Sequence, residues 1–532
     1  MRKLTAGCAV TAILALPMTA YPSTESDIAE LKAMFVEMKS DYERRIADLE
    51  NRLAAAEKRA VQAEKKSETA TERSVAAKRQ ADKATQQVVA LDQKVEAAPA
   101  PVSSEPTPKT SAVTSASAFN PQMSVILDGN YYHDGLGGEG AALVGEAFQP
   151  EMGHGHEHEE EGHDDHGHEH GGMSNGFNFR EAEFWFSATV DPYFDANAMV
   201  VVDGDGNVDL EEAWFQTRNL PHGLKVKGGK FLSDFGYINN QHPHQWDFAD
   251  QNLAYLNLLG DHGLQETGLQ LTWLPETPVY TLFGVEVGQG DQERFGVTLD
   301  DEEQDEFGLD STDDGPRLWT AFAKVAPDIG DNHALQFGVS YARNSQHQGL
   351  YGFEHEEDDG DHDHDHDHEH EEEHGESGYE GSAGIWGLDL VYKFDGEGDY
   401  GHRDFKLQAE YLRATKDTTV RSGEEDLVGR SLDFTSDGLY VQGVYGIFPK
   451  LRAGLRYDVF GLTNKVSGAA NESFGSSDRW TANLTWDLTE YSRLRAQYAR
   501  SDILVAPDER ERFDAFYLQF IMSLGAHGAH KF

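Results

Sequence analysis

The sequence predicts an all-β fold, a 16-stranded antiparallel transmembrane β-barrel preceded by an N-terminal α-helical coiled coil. Three observations lead there. Beyond Phe119 the chain breaks into sixteen short segments in which apolar and polar residues alternate with period two. Their connections alternate between short and long, as in barrels with tight turns on one side of a membrane and loops on the other. Seven of the eight tryptophans fall inside these segments, where an interfacial aromatic belt would hold them.

Residues 1–20 read as a secretory signal, with Arg2 and Lys3 ahead of an apolar stretch and Thr19-Ala20 at a small-residue cleavage site. The only cysteine, Cys8, lies inside it, and too short an apolar run precedes it for a lipid-anchored reading. The mature chain then has neither disulfides nor thiolate ligands. No later run approaches the ~18 apolar residues of a membrane helix. Residues 24–96 lack Gly and Pro and repeat apolar positions at Ile28, Leu31, Phe35, Met38, Tyr42, Ile46, Leu49 and Leu53. The steps of three and four, with one stutter at Tyr42–Ile46, predict a coiled coil and hence a homo-oligomer, a trimer being one such assembly. A single solvated helix is the alternative. Residues 97–118, rich in Pro, Ala and Ser, form a linker, and 119–532 the barrel.

The strands are expected near 123–131, 179–190, 194–202, 208–217, 224–231, 264–273, 279–287 and 317–326, then 333–344, 384–394, 405–415, 436–447, 451–462, 478–488, 492–501 and 513–524. Trp480, Ala482, Leu484, Trp486 and Leu488 share one face, and Thr481, Asn483, Thr485 and Asp487 the other. Long connections are 132–178, 232–263, 288–316, 345–383, 416–435, 463–477 and 502–512, with a short exception at 203–207. An even strand number places every long connection on the outer side. A water-soluble array of β-sandwiches would not produce that alternation.

The formal net charge is −50, from 44 Lys and Arg against 94 Asp and Glu, which excludes nucleic acid as a partner and suits attraction of cations. Two histidine-acid tracts dominate the chemistry. The first holds His154, His156, His158, His163, His166, His168 and His170; the second His355, His362, His364, His366, His368, His370 and His374. Neutral imidazole suits Zn²⁺, Cu²⁺ and Ni²⁺, and carboxylates add charge and oxygen ligands, so zinc or another divalent transition metal is the expected ion. Such tracts have too little apolar content to build a fixed cage, which favours loose, rapid capture. A merely solvated acidic loop is the plainer reading. Residues 300–314 are acidic without histidine and would only add negative potential.

The connection 232–263 is rich in aromatic and apolar residues and is expected to be ordered inside the barrel. His242, His244, Asp247 and Asp250 would line a constriction there, unless the segment simply plugs the channel. Arg452, Arg456, Arg493 and Arg495 are expected on the lumen wall, a basic strip that also fits an anionic metal chelate. Asp203-Gly204-Asp205-Gly206-Asn207 begins like a calcium loop, but Val208 and Trp214 stand where Gly and Glu are needed, so a hairpin turn is expected. His527 and His530 read as a terminal tail. No nucleophile–base motif, phosphate loop or metalloprotease helix is present, and the chain is not expected to be an enzyme.

Signal, coil, linker and sixteen strands together resemble coiled-coil-bearing outer-membrane porins, the siderophore-porin family in particular. Phe119-Asn120-Pro121, Val190-Asp191-Pro192-Tyr193-Phe194, Glu211-Glu212-Ala213-Trp214-Phe215 and Asn240-Gln241-His242-Pro243-His244-Gln245-Trp246-Asp247 are also similar to segments of proteobacterial outer-membrane proteins associated with zinc uptake. The resemblance implies outer-membrane lipid as surroundings, with the coil in the periplasm. It departs from TonB-dependent receptors, whose globular plug of about 150 residues has no room here and whose barrels have about 22 strands. The expectation is passive admission of zinc; a pore for chelate or siderophore anions and a non-transporting tether to the cell wall are the rivals.

Overall fold

A computed structural model describes residues 122–152, 173–292, 294–297, 299–353, 376–423 and 425–525. All belong to Ala112–Phe532, the second of the two units into which the chain divides. The signal 1–20, the coil 24–96, the linker 97–118, both histidine tracts, His527 and His530 lie outside the described residues.

Alternating apolar and polar residues build long strands here because each face meets a different environment. They are β1 (Gln122–Asp134), β2 (Gly176–Thr189), β3 (Phe194–Asp203), β4 (Val208–Thr217), β5 (Leu224–Leu232), β6 (Gln265–Trp273), β7 (Tyr280–Gly288) and β8 (Leu318–Ala326). Then follow β9 (His333–Gly352), β10 (Glu376–Phe394), β11 (Phe405–Val420), β12 (Ser431–Phe448), β13 (Leu451–Gly468), β14 (Ser477–Thr489), β15 (Ser492–Ala506) and β16 (Glu509–Gly525). Each pairs antiparallel with the next, and β16 returns to β1, with Ser124 opposite Gly525 and Asp134 opposite Ala515. The sheet is closed and has no edge strand. A two-residue strand, Glu472–Ser473, pairs only with the upper part of β13.

All sixteen expected strands are present, and most of those in the second half run further toward the long connections than alternation indicated. The expected loop 502–512 shrinks to two residues between β15 and β16, and 345–383 to 353–375. Two of the extensions, Lys416-Asp417-Thr418-Thr419 and Glu509-Arg510-Glu511-Arg512, are polar on both faces. With no apolar side to mark it, the period of two vanishes while the hydrogen-bonded ladder continues.

The outward face is apolar: Leu269, Leu271, Trp273, Trp319, Trp386, Leu388, Leu455, Trp480, Leu484 and Trp486 are all exposed. Inward positions carry Asp128, Glu183, Arg456, Arg479, Arg495 and Gln519, all buried. This is the reverse of a water-soluble barrel. The aromatic-belt expectation needs one correction. Trp185 and Trp214 turn into the lumen, the first against His242 and the second donating to Glu212, because β-bulges beside them shift the parity of β2 and β4.

The interior is filled by chain rather than left open at this level. The connection 233–264 folds inward and ends in helix α2 (Leu253–Leu259), and the connection after β1 contributes helix α1 (Gly140–Gly145). A third helix, α3 (Asp301–Glu306), begins with a capping box between Asp300 and Glu303. Asn252 caps α2 by accepting from the Tyr255 amide, its seven residues contain no β-branched side chain, and Gly260 (φ 75°) ends it. Leu253, Tyr255, Leu258 and Leu259 are buried against Tyr132, Phe460, Ile503 and Phe513 of the wall. Each such side chain contributes about 1.5–3 kcal/mol through burial. Asn257 ties the two inner helices together, donating to the Val144 carbonyl and accepting from the Ala147 amide.

Gly438 on β12 makes this docking possible, since a Cβ there would come within 2.7 Å of the Ala254 Cβ. Gly438→Val is expected to cost the docked segment roughly 1–3 kcal/mol by overpacking. Protease should then cut within 233–264 faster than in the wild type, while the barrel keeps its heat-resistant mobility on gels.

Candidate functional site

The inward segment 233–264 is irregular outside α2, so its backbone groups need partners from the wall. On β11 a single carboxylate, Glu410, accepts from the amides of Tyr237 (2.7 Å) and Ile238 (3.1 Å) and from the hydroxyls of Tyr255 (2.8 Å) and Tyr440. Across the lumen the donors are arginines. Arg493 donates to the carbonyl of His244 (3.2 Å), Arg495 to that of Trp246 (2.7 Å), Arg456 to that of Asp250 (2.9 Å) and Arg479 to that of Gln251 (2.5 Å).

The charges of the segment match the wall they face. Asp247 lies 2.9 Å from Lys406 and 3.8 Å from Arg452, and Asp250 lies 2.8 Å from Arg456 and 3.0 Å from Arg479. Asp458 sits behind both guanidinia. Burial pushes both aspartates up, but Lys406 and Arg452 on one, and Arg479 and Arg456 on the other, outweigh it and hold both carboxyls below the ordinary range. His242 and His244 face the opposite side. His242 Nε2 is 2.8 Å from Glu212 and its Nδ1 3.2 Å from Glu211, while His244 Nδ1 is 2.8 Å from Glu183. Burial disfavours a charge on His242, yet the two glutamates hold its imidazole well above its usual value.

Two neighbouring glutamates can share one face only where the strand is irregular. In β4, Met199 pairs with Glu212 and Val200 with Leu210, so Glu211 is the extra residue of a bulge and turns inward beside Glu212. A second bulge between β1 and β2 leaves Arg180 as the extra residue, 3.8 Å from Asp128.

The four residues expected at a constriction therefore do not face one shared opening. Two point to the acidic wall of β2 and β4, two to the basic wall of β11 and β13–β14, and both histidines are buried. Arg452, Arg456, Arg493 and Arg495 all line the inner wall. Arg479, Lys406, Glu410, Glu183, Glu211 and Glu212 join them and were not singled out from sequence. Arg479 was legible, because it shares parity with Thr481 and Asn483. The paired glutamates were not, since alternation places neighbours on opposite faces. Among the described residues, no group of three or more His, Cys, Asp or Glu side chains is placed so that it could hold a metal ion.

Below the segment, at the end with the short connections, a cavity of ≈ 600 Å³ is lined by Asp247, Lys393, Lys406, Arg452, Asp487 and Arg493. At the other end the chain after β1 crosses the mouth. Glu151 reaches Lys416 on β11 and lies 3.7 Å from His347 on β9. Burial opposes its charge, but Lys416 and His347 hold the Glu151 carboxyl down at about 2.

Asp250→Asn leaves Arg456 and Arg479 sharing Asp458 alone, and is expected to loosen the docked segment by about 3–5 kcal/mol at neutral pH. The wild-type contribution is present above the ordinary carboxylate value, ~3.9, and is lost as pH falls through the depressed folded value. Urea titrations of wild type and variant should therefore converge in strong acid and diverge above pH ~4.

No family model matches the chain. A protein of Aquifex aeolicus (strain VF5), described only as uncharacterized, is 33% identical over 421 residues, covering 79% of this chain and 81% of its own length. Among solved structures, an anion-selective porin from Comamonas acidovorans is 10% identical and covers 76% of this chain and 99% of its own, at a TM-score of 0.42. The outer-membrane channel DcaP of Acinetobacter baumannii is 12% identical and covers 76% and 96%, at 0.39. Likeness at that level adds nothing to the closure already visible in the strand pairing. The Aquifex relationship is of another order, and the chain belongs to the same family as that protein.

Proposed function

We propose that the chain is a porin-like channel of the bacterial outer membrane, working as a homo-oligomer, that gathers divalent transition-metal cations at its outer mouth and admits them passively to the periplasm. Zinc is the preferred ion. A closed sheet with an apolar outside and a charged inside supports the membrane location, because no open edge meets lipid and no lumen charge does either. The observation that carries the metal reading is where the histidine tracts are rooted. Met152, Met173, Phe353 and Glu376 all lie at the end with the long connections, opposite the short turns and both termini of the barrel. Glu151, at the first root, meets β9 only a few residues before the second tract begins. Carboxylates and imidazoles concentrated there would raise the local cation concentration, an effect that salt weakens.

A second reading has its own support. Lys393, Lys406, Arg452 and Arg493 around the lower cavity offer donors to an anionic passenger such as a metal chelate, beside Asp247, Asp395, Asp404, Asp487 and Glu490 of the same lining. Reversal potentials of the purified protein in planar bilayers separate the two, since cation preference is expected and a clear anion preference would replace the first reading with the second. Replacing the fourteen tract histidines by serine should lower zinc uptake into liposomes several-fold at scarce metal and leave it unchanged at abundant metal. Capture should also fade below pH ~6.5 as the imidazoles protonate. Removing residues 24–96 should leave flux intact; loss of all function there would favour the tether.

A further inference from the structure

On the outward face of the wall, arginines stand where the aromatic belt ends toward the long connections. Arg413 on β11 has Asp437 opposite it in the ladder, Arg500 on β15 has Asp514, and Arg512 on β16 has Asp502. Arg343 on β9 differs. Its opposites are Trp319 on β8 and Gly384 on β10, and among the described residues it forms no ion pair. Its guanidinium donates to Ser382 Oγ at 3.1 Å. The outward carboxylates of the neighbouring strands lie elsewhere, Asp437 opposite Arg413, and Asp417 with Asp433 one pair of residues further out.

Depth makes this charge informative. Arg343 stands ten residues along β9 from His333, beside the short turns. For a strand tilted about 40° that is a rise of roughly 25 Å, close to the height of the apolar band of such barrels. Below Arg343 lie Tyr341 and Trp386, in contact across the ladder with ring centroids 4.4 Å apart. Beside it the wall has a gap at Gly384, where a Cβ would stand 3.2 Å from the Tyr341 hydroxyl and 3.7 Å from Thr415 Oγ1. An exposed guanidinium at the edge of hydrocarbon is stabilised by an anion that meets it there, and the anions at that depth are lipid phosphates.

We propose that Arg343 holds the phosphate of an outer-leaflet lipid headgroup, with the hydroxyls of Ser382, Thr415 and Tyr341 as further donors around the Gly384 gap. Trp319 and Trp386, both exposed, lie against the acyl chains of the same lipid. The proposal rests on the membrane reading above and adds a specific lipid site to it. A planar guanidinium takes phosphate oxygens in pairs, which an ammonium does not. A phosphomonoester suits this set better than a choline phosphodiester, whose own cation would face the arginine.

The test is native mass spectrometry of the detergent-purified full chain titrated with phosphatidic acid. One lipid should be retained per chain at concentrations where diacylglycerol, which lacks the phosphate, is not. Arg343→Ala should raise the half-saturating concentration roughly ten-fold or more, since a charged hydrogen bond is lost. Arg500→Ala, whose guanidinium already lies 3.9 Å from Asp514, should not. Equal retention by Arg343→Ala, or equal retention of diacylglycerol, overturns the site. Displacement of the lipid by millimolar inorganic phosphate would also overturn it, as the mark of a free-anion site. Should Arg343→Ala not fold, Arg343→Gln keeps most of the stem and takes its place with the same outcomes. Quenching of tryptophan emission by phosphatidylcholine with brominated chains keeps the two readings apart. Its absence from wild type and variant alike overturns the membrane reading and the site with it, whereas quenching in both with unchanged phosphatidic acid retention overturns the site alone.

Discussion

The pairing of β1 with β16 is the constraint on which everything else rests. With that ladder formed, each of the sixteen strands has a hydrogen-bonded neighbour on both sides. Without it, two long edges would open and the lumen would lose its distinction from the surroundings. Closure also fixes parity. Once β1 and β16 are in register, with Asp128 opposite Ile521, each stave's even or odd positions are committed to one face by the short turns that join it to its neighbours. Arg452, Arg456, Arg479, Arg493 and Arg495 face inward for that geometric reason, whatever they then do.

Closure in turn permits an irregular segment to occupy the interior. Backbone carbonyls without partners are tolerated only where protein or water supplies donors. The guanidinium groups of β13, β14 and β15 do so; Arg456 and Arg479 combine a charge for Asp250 with donors for the carbonyls beside it, and Arg495 donates to the carbonyl of Trp246. On the opposite wall the arrangement is inverted, with glutamates of β2 and β4 receiving His242 and His244. The segment is thus held in one orientation by charge as well as by shape. Turned about, it would bring aspartates to glutamates and histidines to arginines. The result is a lumen acidic on one side and basic on the other, with the docked segment between.

What was legible in the sequence follows from the same physics. Strands showed wherever one face touches an apolar environment and the other a polar one, so all sixteen were found and their turn-side ends were nearly right. Several outer ends were not; at Thr418 and Arg510 there is no apolar face to betray a ladder. The arginines of β13 and β15 were legible from parity alone. Glu410 was not, since nothing local distinguishes it from the other polar residues of β11; its importance lies in four donors that come from Tyr237, Ile238, Tyr255 and Tyr440. Glu211 was hidden for the opposite reason, because the bulge that turns it inward breaks the rule by which the strand was recognised.

That exception bears on how the lumen works. A regular strand offers one inward side chain every two residues, about 6–7 Å apart, too far for two carboxylates to hold one partner. Bulges at Glu211 and Arg180 remove that limit at two neighbouring points of the wall, and Glu181, Glu183, Glu211 and Glu212 gather beside them. A positive group beside those carboxylates offsets the cost of gathering them. In the resting arrangement the group is an imidazole carried by the inward segment, so the wall and the segment stabilise each other. Removing the charge of Glu211 or Glu212 therefore also acts on the docking of 233–264. The charge of that wall and the position of the segment that fills the lumen are, by this arrangement, one equilibrium.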